Sequence, residues 1–249
     1  NLKIFKDLKF EKFFPLFKKE INLINNEINF KYKNDSYSLT GSGDIIIQKE
    51  SDYIKYSIEK NNKKIKFDNL IEIKKNPFLI KFLNYQKKDN EKARINFKGY
   101  VNNKNQIIFN SLLFKEKENQ IKVQNLKLDN EFKIIELDRI DLDYHDKNKQ
   151  KNIIKIIKKN NEYVLDGSFF NADNLIENIL FSDENSFAIL NKNFKMKVNI
   201  NKVRLDNEYN LNNFSGNLYF KDKKIYDANL SGNFSNDKKM KFTVKSNGS

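Results

Sequence analysis

The residues best suited to chemistry surround the single histidine, His145. Four aspartates lie within residues 138–146, and clustered carboxylates of this kind could bind a cation. Apolar residues alternate with these aspartates at Ile140, Leu142 and Tyr144, which is the pattern of a β-strand with one wet face. The cluster is therefore interpreted as the solvent side of a strand, and no metal site is predicted.

The remaining candidates for catalysis are weaker. One histidine in the whole chain argues against a Ser-His-Asp triad, and the absence of cysteine rules out disulfides and Cys-ligated zinc. Gly41-Ser42-Gly43 precedes a strand rather than a helix, so it lacks the setting of a phosphate-binding loop. We therefore predict a protein that is not an enzyme and that uses no cofactor.

The clearest elements are four alternating runs near the end of the chain, within residues 194–244. Short polar links separate them, which predicts neighbouring antiparallel strands with one apolar face. Their apolar sets are Phe194, Met196, Val198 and Ile200; Phe214, Leu218 and Phe220 with Gly216; Tyr226, Ala228, Leu230 and Phe234 with Gly232; and Met240, Phe242 and Val244.

A glycine recurs at the same place on the apolar side of these strands. Residues 214–218 (Phe-Ser-Gly-Asn-Leu) and 230–234 (Leu-Ser-Gly-Asn-Phe) carry nearly the same pentapeptide, and residues 97–101 and 165–169 repeat its pattern. A glycine inside a strand marks a bulge, a bend or a close approach. The repetition indicates a sheet that bends in the same way several times, although ordinary glycines in a β-sandwich are the simpler alternative.

The rest of the chain predicts eleven or more strands in total, with few helices. Residues 1–26 are expected to cover part of the apolar surface of the sheet. Asn76 and Pro77 have the residue types of a helix start, and a second short helix is expected over 171–180. Helices this short cannot cover such a sheet, so its apolar face needs another partner. A closed sandwich or barrel would supply one, as would an apolar molecule held in an open trough.

The predicted fold class is mainly β: a long curled antiparallel sheet that forms an open hydrophobic groove, with two or three short helices. Residues 1–249 are expected to form one segment of a larger repeating groove, with sub-units 1–91 and 92–249 as the alternative division. The chain starts without Met, so we expect it to be a piece of a longer protein.

The net charge of +14 raises the question of anionic partners. Of the 47 basic residues only three are arginine: Arg94, Arg139 and Arg204. Proteins that recognise phosphates and bases favour arginine, because its guanidinium group can form two parallel hydrogen bonds. The lysines are scattered along polar strand faces, so no nucleic-acid partner is predicted. No apolar run approaches the roughly 20 residues of a membrane span.

The order of features resembles that of a known family. Residues 163–176 form a strand with a central glycine that runs into a capped helix; residues 198–205 and the two glycine pentapeptides follow. This order, best matched over 92–246, resembles the AsmA-like superfamily of Gram-negative bacteria, particularly its large YhdP-type, TamB-related members.

The resemblance implies a periplasmic segment of a β-groove that conducts phospholipid between the inner and outer membranes. It also implies an inner-membrane anchor outside this sequence, phospholipid acyl chains as partners, and contacts with other envelope proteins. A closed β-sandwich that binds a glycan or a protein is the alternative hypothesis, and an enzyme is the third.

Alternation then predicts which side chains line the groove. The expected lining residues are Ile95, Phe97, Ile107, Phe109, Leu126, Leu128, Ile140, Leu142, Leu165, Met196, Val198, Leu218, Phe220, Leu230, Phe242 and Val244. A single bulge would shift the register and turn later side chains to the other face. The doublets Ile107/Ile108 and Ile134/Ile135 are the expected bulge positions.

Overall fold

The computed structural model describes residues 2–3, 10–18, 20–61, 64–175, 193–206, 208–221 and 224–245. The fold is mainly β, with 69% strand and 4% helix, and it contains a large mixed sheet that does not close into a barrel. Within the described ranges, no helix is both long and apolar enough to cross a membrane. The chain divides into two compact units, residues 1–81 with 85–132 and residues 82–84 with 133–249.

The first unit is an antiparallel meander in the order β1-β2-β3-β4-β5-β8-β9-β10, with β6 and β7 paired separately. Asn34 and Asp35 both have positive φ, as a two-residue hairpin turn between β2 and β3 requires. The strands are β1 (Leu2–Lys3), β2 (Glu20–Lys33), β3 (Ser36–Ile46), β4 (Ser51–Asn61), β5 (Lys64–Ile73), β6 (Leu79–Ile80), β7 (Tyr85–Gln86), β8 (Ala93–Val101), β9 (Ile107–Glu116) and β10 (Asn119–Leu128).

The second unit orders its strands β12-β13-β14-β15-β16-β17-β18. β14 and β15 pair in parallel, so the prediction of an antiparallel sheet throughout is wrong at this step. β14 ends at Asn171 and β15 begins at Phe194, so the sequence between them is long enough for the crossover that a parallel pair requires. The strands are β11 (Ile134–Glu136), β12 (Arg139–His145), β13 (Lys151–Lys159), β14 (Glu162–Asn171), β15 (Phe194–Arg204), β16 (Asn210–Lys221), β17 (Lys224–Asn233) and β18 (Lys239–Lys245).

The helix predicted at Pro77 is not formed. The Asn76 side chain, expected to cap it, instead bonds across strands, donating to Glu50 O and Asp52 Oδ2, each at 2.7 Å. The short strand β6 follows Pro77, and a 3-10 helix follows at Lys81–Leu83, with another at Phe10–Lys12. Of the helix predicted over 171–180, residue 171 ends β14, residues 173–175 are helical, and 176–180 lie outside the described residues.

The repeated glycines lie beside bulges. The register shifts at Lys98/Gly99, where Asn110 of β9 is the extra residue, and shifts again beside Gly167 and near Gly216. Ile107 and Ile108 pair regularly with both neighbouring strands, so the bulge predicted at that doublet is wrong. A Cβ on Gly99 would overlap the Ile108 carbonyl, so the close approach of the bulged strand requires glycine there.

The two near-identical pentapeptides are expected to respond differently to Gly→Ala. Gly216 has φ of 148°, and a Cβ there would overlap the Asn229 carbonyl. At Gly232 the nearest atom to an added Cβ is Leu211 Cβ, at 3.3 Å. Gly216→Ala should lower the free energy of unfolding by about 3 kcal/mol, and Gly232→Ala should change it by less than about 1 kcal/mol. Equal losses in urea titrations would contradict this account of the bend.

Candidate functional site

The first unit carries one continuous apolar face, because cross-strand partners point to the same side of a sheet. Ile71, Ile95, Phe114 and Ile121 form one such row across β5, β8, β9 and β10. We call this surface the first apolar face. Its members on these four strands are Ile65, Phe67, Asn69, Ile71, Ile73, Ala93, Ile95, Phe97, Gly99, Val101, Ile107, Phe109, Leu112, Phe114, Glu116, Asn119, Ile121, Val123, Leu126 and Leu128.

One end of the first apolar face is covered. The covering segment, called the end cap, comprises residues 10–18, 74–80 and 85–91 of the same unit. Phe78 stacks on Phe114 with ring centroids 5.1 Å apart, and Phe14 meets Phe78 edge-on at 5.3 Å. Tyr85 contacts Phe114 edge-on at 5.2 Å. Phe114 is consequently 2% exposed, so this end is an ordinary closed core.

A buried carboxylate joins the end cap to the sheet. Glu116 is 1% exposed, and its oxygens accept hydrogen bonds from Tyr85 Oη at 2.6 Å, Lys88 N at 2.8 Å and Asn119 Nδ2 at 3.0 Å. Burial and the neighbouring carboxylate raise the pKa of Tyr85, so its phenol stays protonated and donates. Three donors on one carboxylate make this contact specific and costly to break.

A buried lysine, Lys87, links separate parts of the end-cap backbone through hydrogen bonds. Lys87 Nζ donates to the backbone carbonyls of Lys74, Lys88 and Glu91 at 2.8, 2.9 and 3.0 Å. Burial lowers the pKa of Lys87, while nearby carboxylates, including Glu116, oppose that effect. All three ammonium protons therefore bond within the end cap, and this lysine serves the fold rather than a ligand.

Beyond the end cap, the first apolar face is only half-buried. Phe67, Phe97 and Phe109 form a cluster there, with ring centroids 5.5 to 6.4 Å apart. On β2, at the edge of the face, Ile28 and Phe30 are 59% and 60% exposed. Such a stretch of partly open apolar surface is typical of a binding surface rather than of a sealed core.

The second unit has its own apolar face, which we call the second apolar face. Leu165, Val198, Gly216, Leu230 and Phe242 form one row across β14 to β18. In this row Val198 and Leu230 are buried, Leu165 and Gly216 are half-buried, and Phe242 on the edge strand β18 is 44% exposed. The second face is therefore more closed than the open part of the first.

All sixteen predicted lining residues lie on one of these two faces. In the first unit Ile95, Phe97, Ile107, Phe109, Leu126 and Leu128 are all half-buried. In the second unit Leu142, Val198, Phe220 and Leu230 are buried, Phe242 is exposed, and Ile140, Leu165, Met196, Leu218 and Val244 are half-buried.

The prediction omitted several residues of the same faces. Phe67 and Leu112 belong to the open part of the first face, and Phe194 and Ile200 to the second. Their strands alternate as clearly as those that were chosen, so the period of two would have found them. The pattern within one strand does not show which of these residues are neighbours, because that depends on the register between strands.

A cleft of about 740 Å³ lies over β2 to β5, and four of its twelve lining residues, among them Ile28 and Asn69, are on the side of the first apolar face. By register, eight of its twelve lining residues have side chains on the opposite, polar face, including Glu27, Lys55 and Asp68. Its position differs from that of the predicted apolar groove.

The aspartates around His145 have structural partners. Asp146 Oδ1 accepts from Asn148 N and Gln150 N, each at 2.9 Å, and its Oδ2 accepts from Asn171 Nδ2 at 2.7 Å. Asp141 is paired with Arg139 on the same strand. Within the described part of the chain, no group of three or more His, Cys, Asp or Glu is arranged to hold a metal ion.

The chain matches no protein-family model, no curated protein and no solved structure. The AsmA-like resemblance therefore stays a hypothesis that rests on strand pattern and glycine placement in the sequence.

Proposed function

We propose that the chain is a non-catalytic segment of a lipid-conducting β-structure, whose apolar faces hold phospholipid acyl chains. The observation that carries the proposal is the open part of the first apolar face, where the Phe67, Phe97 and Phe109 cluster is half-buried beyond the end cap. A closed β-sandwich module would bury this cluster under a second layer. Its partial exposure favours an external apolar partner.

The energetics suit an acyl chain. Each CH₂ removed from water contributes about 0.8 kcal/mol, so two chains of about 16 carbons gain about 25 kcal/mol when fully covered. Isoleucine, leucine, valine and phenylalanine supply this without directional bonds. A surface of similar apolar side chains therefore lets a lipid move along it without a deep trap, as conduction requires. The polar head group would remain in water.

The cellular setting follows from the AsmA-like resemblance and is part of the proposal. The segment would work in the periplasm, between the inner and outer membranes, with its membrane anchor in a part of the protein outside this sequence. Phospholipid would be the partner at the apolar faces, and other envelope proteins would complete the path.

Binding of a fluorescent 16-carbon fatty acid to the purified chain tests this proposal. We expect saturable binding, competition by phosphatidylglycerol, and phospholipid in organic extracts of the protein purified from Gram-negative cells. A soluble hexose or a short hydrophilic peptide should not compete. Absence of both fatty-acid binding and co-purified lipid would overturn the proposal in favour of a closed binding module.

A further inference from the structure

The polar face of β15 to β18 has a strong charge bias. By register, its basic residues on the outer strands are Lys195 and Lys197 of β15 and Lys239, Lys241 and Lys245 of β18. Lys221, which ends β16, and Lys224, which begins β17, add two more. All seven lysines are exposed, whereas Asp227 is the only carboxylate among the described residues of this face.

The lysines of β15 and β18 form two rows. The uncharged polar side chains of β16 and β17 between these rows are called the floor. β15 and β18 are separated by three strand spacings, which is about 14 Å. Between the rows, cross-strand pairs on β16 and β17 present amides and hydroxyls: Asn217 opposite Asn229, and Ser215 opposite Ser231. Such a floor offers neutral hydrogen-bond donors and acceptors beside two lines of positive charge.

The abundance of lysine in the chain does not explain this bias, because a comparable face of the first unit lacks it. The polar face of β2 to β5 carries the lysines Lys31, Lys33, Lys55, Lys64 and Lys66. These are opposed by the carboxylates Glu20, Glu27, Asp44, Glu59, Asp68 and Glu72. Four strands of the same protein are thus nearly neutral in one unit and strongly basic in the other.

We propose that the polar face of β15 to β18 binds the phosphate groups of an anionic phospholipid bilayer surface. Lysines on flexible stems suit an array of phosphates whose positions change, whereas fixed bidentate recognition relies on arginine. Juxtamembrane lysines gain affinity from the negative surface potential of such bilayers. The amide and hydroxyl floor can hydrogen-bond phosphate and glycerol oxygens.

A nucleic acid fits this surface less well. Single strands bind where aromatic rings stack on bases, and the floor between the lysine rows presents Asn and Ser instead. Tyr219 lies at one end of the face, where its ring packs edge-on against Tyr226 at 5.7 Å. Bilayer binding by this face goes beyond the proposed function, which concerns acyl chains on the opposite, apolar side.

Vesicle co-sedimentation of the purified chain tests the proposal. The charge-removing variant carries Lys195→Gln, Lys197→Gln and Lys241→Gln, and the matched control carries Lys31→Gln, Lys55→Gln and Lys66→Gln. Vesicles are phosphatidylcholine alone or phosphatidylcholine with about one third phosphatidylglycerol, at 0.1 M salt. Each lysine near an anionic bilayer contributes about fivefold in partitioning, so the first variant should lose about 100-fold.

The control variant should stay within about threefold of the unmodified chain, and the corresponding Lys→Arg triple should retain binding. Weak binding to pure phosphatidylcholine is also expected. Equal losses in both Gln variants would overturn the proposal, since net charge alone would then act. Tighter binding to a single-stranded oligonucleotide would overturn it, as would displacement by millimolar inorganic phosphate. Fatty-acid binding should be unchanged in the charge-removing variant. A failure of bilayer binding can therefore be distinguished from a failure of the proposed acyl-chain binding.

Discussion

Phe109→Asp is expected to weaken fatty-acid binding by at least tenfold while the protein stays folded. Phe109 is half-buried in the cluster with Phe67 and Phe97, beyond the end cap. A carboxylate there can still reach water, so the free energy of unfolding should fall by about 2 kcal/mol. The charge would, however, lie where an acyl chain must pack. Fluorescence titration and urea unfolding measure the two effects.

Phe114→Asp provides the matched comparison, because Phe114 lies on the same strand and the same face. It is 2% exposed beneath Phe78 and Tyr85, so its carboxylate could not reach water. We expect a loss of more than about 4 kcal/mol, enough to unfold this unit. If Phe109→Asp unfolds the protein as completely as Phe114→Asp does, the open part of the face is closed core after all.

Glu116→Ala should be among the most destabilising single substitutions in the first unit, with a loss of about 4 kcal/mol in the free energy of unfolding. It leaves Tyr85 Oη, Lys88 N and Asn119 Nδ2 without the acceptor that they share in the buried end cap. Tyr85→Phe removes only one of these bonds and should cost about 2 kcal/mol.

Glu59→Ala is the control for the removal of a carboxylate, since Glu59 is exposed on the polar face of β4. It should change the free energy of unfolding by less than about 0.5 kcal/mol. Thermal or urea unfolding of the three variants gives the comparison. A loss at Glu116 no larger than that at Glu59 would mean that the end cap does not depend on its carboxylate.

The sequence alone could assign the two faces because a strand has a side-chain period of two. Ile95 and Phe97 must share a side whatever their strand pairs with, and the same holds for Ile140 and Leu142. Whether a strand runs parallel or antiparallel to its neighbour leaves no such pattern in the sequence. β14 and β15 alternate like the antiparallel strands, so their parallel pairing could not be read from them.

Bulge positions and the end cap depend on contacts between residues distant in sequence. Two consecutive apolar residues at Ile107/Ile108 predict a register shift there, but the extra residue is Asn110, beside the close approach at Gly99. Asn76 has the residue type of a helix cap, yet its amide is taken by Glu50 and Asp52 more than 20 residues away. Local propensity cannot anticipate either contact.

Photo-crosslinking in Gram-negative cells tests the central claim most directly. A photoreactive amino acid replaces Phe97 or Leu112 on the first apolar face, or their polar-face neighbours Lys98 and Ser111. We predict phospholipid adducts at positions 97 and 112 and none at 98 and 111, because successive side chains of a strand point to opposite sides. Adducts at all four positions, or at none, would contradict lipid binding by the apolar faces.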